Sequence, residues 1–191
     1  MIAEALKNIQ SEIPKNVTLV AVSKTKPVED LQEAYDAGHR VFGENKVQEL
    51  TEKQVLLPKD IEWHFIGHLK SNKVKYIAPF VSMIHAIYSF KLLKEVNKQA
   101  KKNDRVVSCL LQFHIAEESS KFGLDLEEAQ NMLSSDEFIE LQNISIAGVM
   151  GMATFTDNQE QVRDEFRTLE NYFNVLKSHF FPFVQVLERI R

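Results

Sequence analysis

The chain has 191 residues, 44% of them hydrophobic and 26% charged, with a net charge of -4 and an isoelectric point near 5.9. That is enough for one compact domain with a sizeable core, while balanced charge argues against a general nucleic-acid binder, which needs a concentrated basic surface. No apolar run is long enough to cross a bilayer and the N-terminus lacks a secretory signal's organisation, so the expected location is cytoplasmic, with no nucleic acid and no membrane among its partners.

Ile2, Leu6, Ile9 and Ile13 recur at helical spacing, and Pro14 closes that segment. Val17 opens an almost wholly apolar β-like run that ends in Ser23-Lys24-Thr25-Lys26. By strand alternation Val20, Val22, Lys24 and Lys26 share one face. After Pro27, Val28, Leu31, Ala34 and Tyr35 form a helical face that ends at Gly38, a residue suited to the left-handed cap. Arg40 to Gly43 reads as a short strand, Val47 to Val55 as a helix, and Ile61 to Ile66 as a strand. Helices near 70–78, 89–101 and 126–133 then alternate with strands at Val81–Ile87, Arg105–Phe113 and Ile144–Met150, before a last helix from Asn158 to about Lys177. Six strand candidates separated by helices imply parallel pairing, because a parallel partner needs a crossover connection. The class is α/β; periodicity leaves both a doubly wound sheet and a barrel open.

In α/β folds active groups gather where strands end at their carboxyl side. Here that edge carries Lys24 and Lys26, then Glu44-Asn45-Lys46, then His64 and Gly67-His68-Leu69-Lys70-Ser71-Asn72-Lys73, then Gln112, His114 and Glu118 to Gly123, then Gly148 to Thr154. Apolar surroundings and a second ammonium both favour a neutral, nucleophilic amine, which would form a Schiff base with a carbonyl-bearing cofactor. The competing reading is a strand end that simply emerges into solvent. Asn45 can orient a phenolic oxygen or an imine, or can serve as a turn or helix cap. His64 lies within its strand, either lining the interior or as a satisfied core histidine. His68, Lys70, Asn72 and Lys73 read either as a phosphate-attracting loop at a helix start or as a solvated loop. His64 and His68 have i,i+4 spacing, but the segment passes from strand to turn, so metal binding lacks a warrant. Phosphate-loop and dinucleotide glycine patterns are absent. The single Cys109, within Val106 to Leu111, reads as buried and inert.

Val20-Ala-Val-Ser-Lys-Thr-Lys26, Phe42-Gly-Glu-Asn-Lys-Val-Gln-Glu49, Trp63-His-Phe-Ile-Gly-His-Leu-Lys-Ser-Asn-Lys73, Ser120-Lys-Phe-Gly123 and Gly148-Val-Met-Gly-Met-Ala153, in that order, resemble the YggS/PROSC family of pyridoxal phosphate homeostasis proteins. The resemblance covers about residues 15–175. It implies a TIM-like (β/α) barrel similar to the N-terminal domain of alanine racemases, one domain over residues 1–191, with pyridoxal 5'-phosphate bound as an internal aldimine. Lys24 matches the family's cofactor lysine, Asn45 its pocket asparagine, and His64 falls in the motif lining the cofactor cavity. The implied function is a carrier that keeps a reactive cofactor in reserve without robust catalysis, as a monomer, with pyridoxal phosphate and pyridoxal-phosphate-dependent apoenzymes as partners. A racemase is the enzyme alternative; racemases with this barrel draw a second acid/base group from an additional β domain. The chain departs from the family after Met152, where no glycine follows and the Ser/Met/Gly-rich and Gly-Ser-Thr segments that grip phosphate are missing. Phe183 to Val186 offers at most a seventh strand, and a binding protein without cofactor is the third reading.

Overall fold

The computed structural model describes residues 1–117 and 122–181, together with the backbone of 189–190. Eight helices and seven strands are assigned within them. The strands are β1 (Ala21–Val22), β2 (Val41–Glu44), β3 (Glu62–Phe65), β4 (Met83–Ile87), β5 (Val107–Phe113), β6 (Ile144–Gly151) and β7 (Arg189–Ile190). The helices are α1 (Ile2–Glu12), α2 (Val28–Asp36), α3 (Val47–Leu56), α4 (Val74–Ile77), α5 (Phe90–Lys102), α6 (Leu126–Leu133), α7 (Asp136–Ile139) and α8 (Gln159–Phe180). A short 3-10 turn, Ser71–Lys73, leads into α4.

Every neighbouring pair of strands is parallel, and their spatial order is their order in the chain, β1 through β7. A doubly wound sheet reverses strand order partway. A sheet that adds each strand on the same side follows the winding of a (β/α) barrel, and this decides the choice that periodicity left open.

Two apolar layers pack against the sheet. The larger lies between the strands and their helices and includes Phe42, Trp63, Phe65, Ile84, Leu111, Phe113, Ile146 and Val149 with Leu50, Leu92, Leu93 and Leu169. The smaller, made by Met83, Ala86, Leu110, Ala147 and Met150, lies on the opposite, inner face of the sheet. Cys109 belongs to the outer layer, and burial raises its thiol pKa well beyond the ordinary range, which keeps it protonated.

Local signals end the helices as expected. Past α2, Gly38 takes φ 95°, its N–H donating to Tyr35 O at 2.9 Å while His39 N–H donates to Ala34 O at 3.0 Å, the two bonds of a Schellman closure. At α6 Asp125 and Glu128 form a reciprocal capping box. Beyond α2, Arg40 folds back: its guanidinium lies 3.7 Å over the Tyr35 ring and bonds Asp60 Oδ2 at 3.0 Å, while Tyr35 Oη donates to Asp60 Oδ1 at 2.7 Å. That exposed cluster fastens the amino-end edge of β2 and β3.

The first strand is much shorter than the run from Val17 suggests. Among the described residues β1 pairs with β2 alone, through Ala21 and Val22, and a turn starts at Ser23. The alternation that would place Lys24 and Lys26 on one strand face therefore stops before either residue. The observed seventh strand is Arg189–Ile190; the Phe183 to Val186 candidate lies outside the described residues, as do Glu118 to Lys121.

Candidate functional site at the carboxyl ends of the strands

Register places His64 on the inner face of the sheet. Val22 pairs with Gly43, Gly43 with His64, and His64 with Met83. A Cβ at Gly43 would meet Val20 Cγ1 at 3.0 Å and Ile66 Cδ1 at 3.2 Å, so these positions face the same side. Just past the ends of β2 and β3, at the mouth of that face, come Asn45 and Ile66, while Lys24 follows the end of β1 within a turn. His64 lies one row deeper.

Lys24 is exposed and occupies the second position of a four-residue turn closed by Lys26 N–H donating to Ser23 O at 3.1 Å. The third position, Thr25, has φ 64°, a region that glycine or asparagine ordinarily fills. A β-branched residue there is strained by about 1–3 kcal/mol and persists only when its surroundings over-determine it.

Those surroundings are a buried ion network that the sequence reading missed. The Lys53 ammonium, on α3, donates to Ser23 O, Glu44 Oε1 and Glu49 Oε1, each at 2.7 Å. Ser23 Oγ donates to Glu44 Oε1 at 2.7 Å, and Thr25 N–H to Glu49 Oε1 at 2.6 Å. The side chains of Lys53 and Glu44 are 6% and 0% exposed, so the pair is screened little by solvent. Burial pushes the Glu49 carboxyl upward in pKa, but the Lys53 ammonium and the Thr25 N–H outweigh it and the net direction is down. Glu49 and Lys53 stand one helical turn apart, a spacing that usually marks a surface pair; that spacing was the available signal, and the overlying turn is what buries it.

Asn45 Oδ1 is buried without a hydrogen-bond partner, as is Glu44 Oε2. The Asn45 backbone is packed directly against Gly67, where a Cβ would collide with the Asn45 carbonyl oxygen and Cα. The close approach of the two loops thus requires glycine. An unpartnered buried acceptor costs free energy unless a donor arrives, and past the end of β2 it suits a ligand or amine N–H.

His64, 3% exposed, is held by His85 of β4, whose Nε2 lies 2.9 Å from His64 Nδ1. One ring donates and the other accepts, so this pair gives the inner face a polar floor. His85 was hidden in an otherwise apolar strand. The His68 to Lys73 loop differs from a phosphate-binding helix start. Its His68 ring stacks on Tyr88 at 4.5 Å and lies 4.8 Å from Phe122, while α4 has only four residues.

Further along the edge, Glu165 of α8 accepts from Thr154 N–H and Oγ1, both at 2.6 Å, and Glu117 N–H donates to Thr154 Oγ1 at 3.2 Å. An adjoining cleft of about 650 Å³ is lined by Glu117, Glu160, Asp164 and Glu165 among others. Its carboxylates disfavour an anionic ligand.

Comparison with known proteins agrees with this fold. The family described as alanine racemase, N-terminal domain, matches residues 1–186. A pyridoxal phosphate homeostasis protein of Aquifex aeolicus is 36% identical over 163 residues, covering 85% of this chain and 71% of the relative. One of Pasteurella multocida is 35% identical over 185 residues, covering 92% and 78%. PipY of Synechococcus elongatus, solved with pyridoxal phosphate bound, superposes with a TM-score of 0.88 at 30% identity, over 100% of this chain and 87% of PipY; the structure without the cofactor gives 0.92 at 31%. Alanine racemase of Clostridium difficile shares the fold with a TM-score of 0.81 at 13% identity, over 100% of this chain and 52% of the racemase.

The fold and its inner face therefore define a barrel of the alanine racemase N-terminal class. Within that class, the chain belongs to the family of pyridoxal phosphate homeostasis proteins.

Proposed function

We propose that this chain binds pyridoxal 5'-phosphate through Lys24 and keeps it in reserve, as a homeostasis or carrier protein without robust catalysis. The observation that carries the reading is the presentation of an exposed lysine on a strained, ion-clamped turn at the end of β1, with the buried, unpartnered Asn45 Oδ1 just past the end of the adjoining β2. When bound, the cofactor supplies an aldehyde that condenses reversibly with a primary amine, with loss of one water.

The residues divide the work. Lys24 offers the amine. Asn45 offers an acceptor for an N–H and an amide donor for a phenolic oxygen. His64, joined to His85, lies beneath them and gives the cofactor ring a polar, hydrogen-bonded floor. Reversible attachment limits reaction of the free aldehyde with other amines and leaves it transferable to apoenzymes in the cytoplasm. A monomer suffices, because all three residues come from one chain. Among the described residues no helix is long and apolar enough to cross a membrane.

The test is to add pyridoxal phosphate, follow the visible absorbance of the lysine-linked cofactor, reduce with borohydride and map the modified peptide. Label is expected on Lys24, and Lys24→Ala is expected to lose both the band and the label. Label at another residue, or unchanged binding in Lys24→Ala, overturns the assignment. Lys24-dependent racemisation of an amino acid would replace the carrier by an enzyme.

A further inference from the structure

We propose that Glu44, Glu49 and Lys53 form a positioning device that fixes the Ser23–Lys26 turn and thereby sets where the Lys24 amine stands. The proposal rests on Lys24 as the attachment residue. A lysine amine sits at the end of four rotatable carbons, so its placement depends on how firmly its own backbone is anchored. Here the anchors flank Lys24 on both sides: Ser23 O is taken by Lys53 Nζ at 2.7 Å, and Thr25 N–H by Glu49 Oε1 at 2.6 Å. Lys53 joins the two anchors by bonding Glu49 as well. Glu44 completes the frame by holding both Lys53 Nζ and Ser23 Oγ on one oxygen.

A buried ion pair of this kind is a poor stabiliser compared with well-packed apolar groups. Its advantage is direction: two of its bonds hold backbone atoms, Ser23 O and Thr25 N–H, of a turn that Thr25, at φ 64°, would otherwise leave. The hydrogen bonds of the network run to Ser23, to Thr25 and among its own members rather than to the Lys24 side chain. Lys53, Glu44 and Glu49 are therefore positioning residues, acting through the turn.

The experiment measures the rate at which the visible band appears when pyridoxal phosphate is added to the full chain, with borohydride trapping to map the labelled residue. Glu49→Ala frees Thr25 N–H but leaves the buried Glu44–Lys53 pair intact, so the fold, followed by circular dichroism, is retained. Attachment at Lys24 is expected to slow about tenfold. Thr25→Gly, which puts a residue at ease at positive φ in this position, is expected to recover most of the lost rate in the Glu49→Ala background. The double variant Glu44→Gln, Lys53→Met removes both buried charges together and should show the same slowing where it folds. A purely structural network would lower thermal stability while leaving the rate of the folded variants unchanged, and Thr25→Gly would restore nothing; either result overturns the proposal. Absence of label on Lys24 in the unmodified chain would instead overturn the assignment of the attachment residue.

Discussion

Gly67 is the residue on which the mouth of the site closes most tightly. Because a Cβ there would run into the Asn45 carbonyl oxygen and Cα, backbone against backbone, neither loop can yield by rotating a side chain. Gly67→Ala is expected to destabilise the protein by about 1–3 kcal/mol, as overpacking does, and to weaken cofactor binding by moving Asn45; urea unfolding and an absorbance titration measure the two effects. The buried histidines offer a second residue-level test. If the His64–His85 hydrogen bond contributes about 1 kcal/mol, single replacements of each ring by phenylalanine and their combination should show non-additive losses of stability in a double-mutant cycle. The motifs around Lys24, Asn45 and His64 could be read along the chain because each lies where a strand ends or within an inner-face run. His85, Glu44 and Lys53 could not, because their roles depend on partners 21, 21 and 30 residues away in sequence: His64 for the first, Ser23 for the other two.

Among the elements, the junction of β6 and α8 shows how the segment after a strand end is tied down by a single carboxylate. Burial raises the Glu165 carboxyl in pKa, but hydrogen bonds from Thr154, Glu117 N–H and Gln161 overcome that and lower it. A carboxyl depressed in the folded state contributes stability at pH values above its unfolded pKa and loses that contribution as pH falls through the folded one. Stability measured by urea unfolding is therefore expected to drop as the medium is acidified below the ordinary glutamate value of 4.5, and Glu165→Gln should show a smaller drop over the same range. At the start of α6, Asp125→Ala breaks the capping box and is expected to cost about 1 kcal/mol. Helices of this kind were legible because apolar spacing and caps are local. The first strand was misjudged for a nonlocal reason: its ladder gives way after Val22 to the Ser23–Lys26 turn, which is held by Glu44, Glu49 and Lys53 from further along the chain.

For the whole molecule, successive parallel pairing puts all the strand ends of one polarity on one rim, and with them Lys24, Asn45 and the Glu165 tie. The outer apolar layer carries much of the folding free energy, and Leu93→Ala, at a fully buried site facing away from the inner surface, should cost about 2–5 kcal/mol in denaturant unfolding while sparing attachment at Lys24. The alternation of strands and helices made the α/β class legible, whereas the sense of winding depended on pairings that no local pattern encodes. The two rims also meet water differently. Arg40 and Asp60, at the amino-end rim, are 38% and 58% exposed, whereas Lys53 and Glu44 beneath the Lys24 turn are sealed from solvent. At about 1 M salt the screening length shrinks to about 3 Å, which dulls the first pair and scarcely reaches the second. Ionic strength thus acts as a dial for one rim alone, loosening the base of the barrel while the lysine at its mouth keeps its bearing.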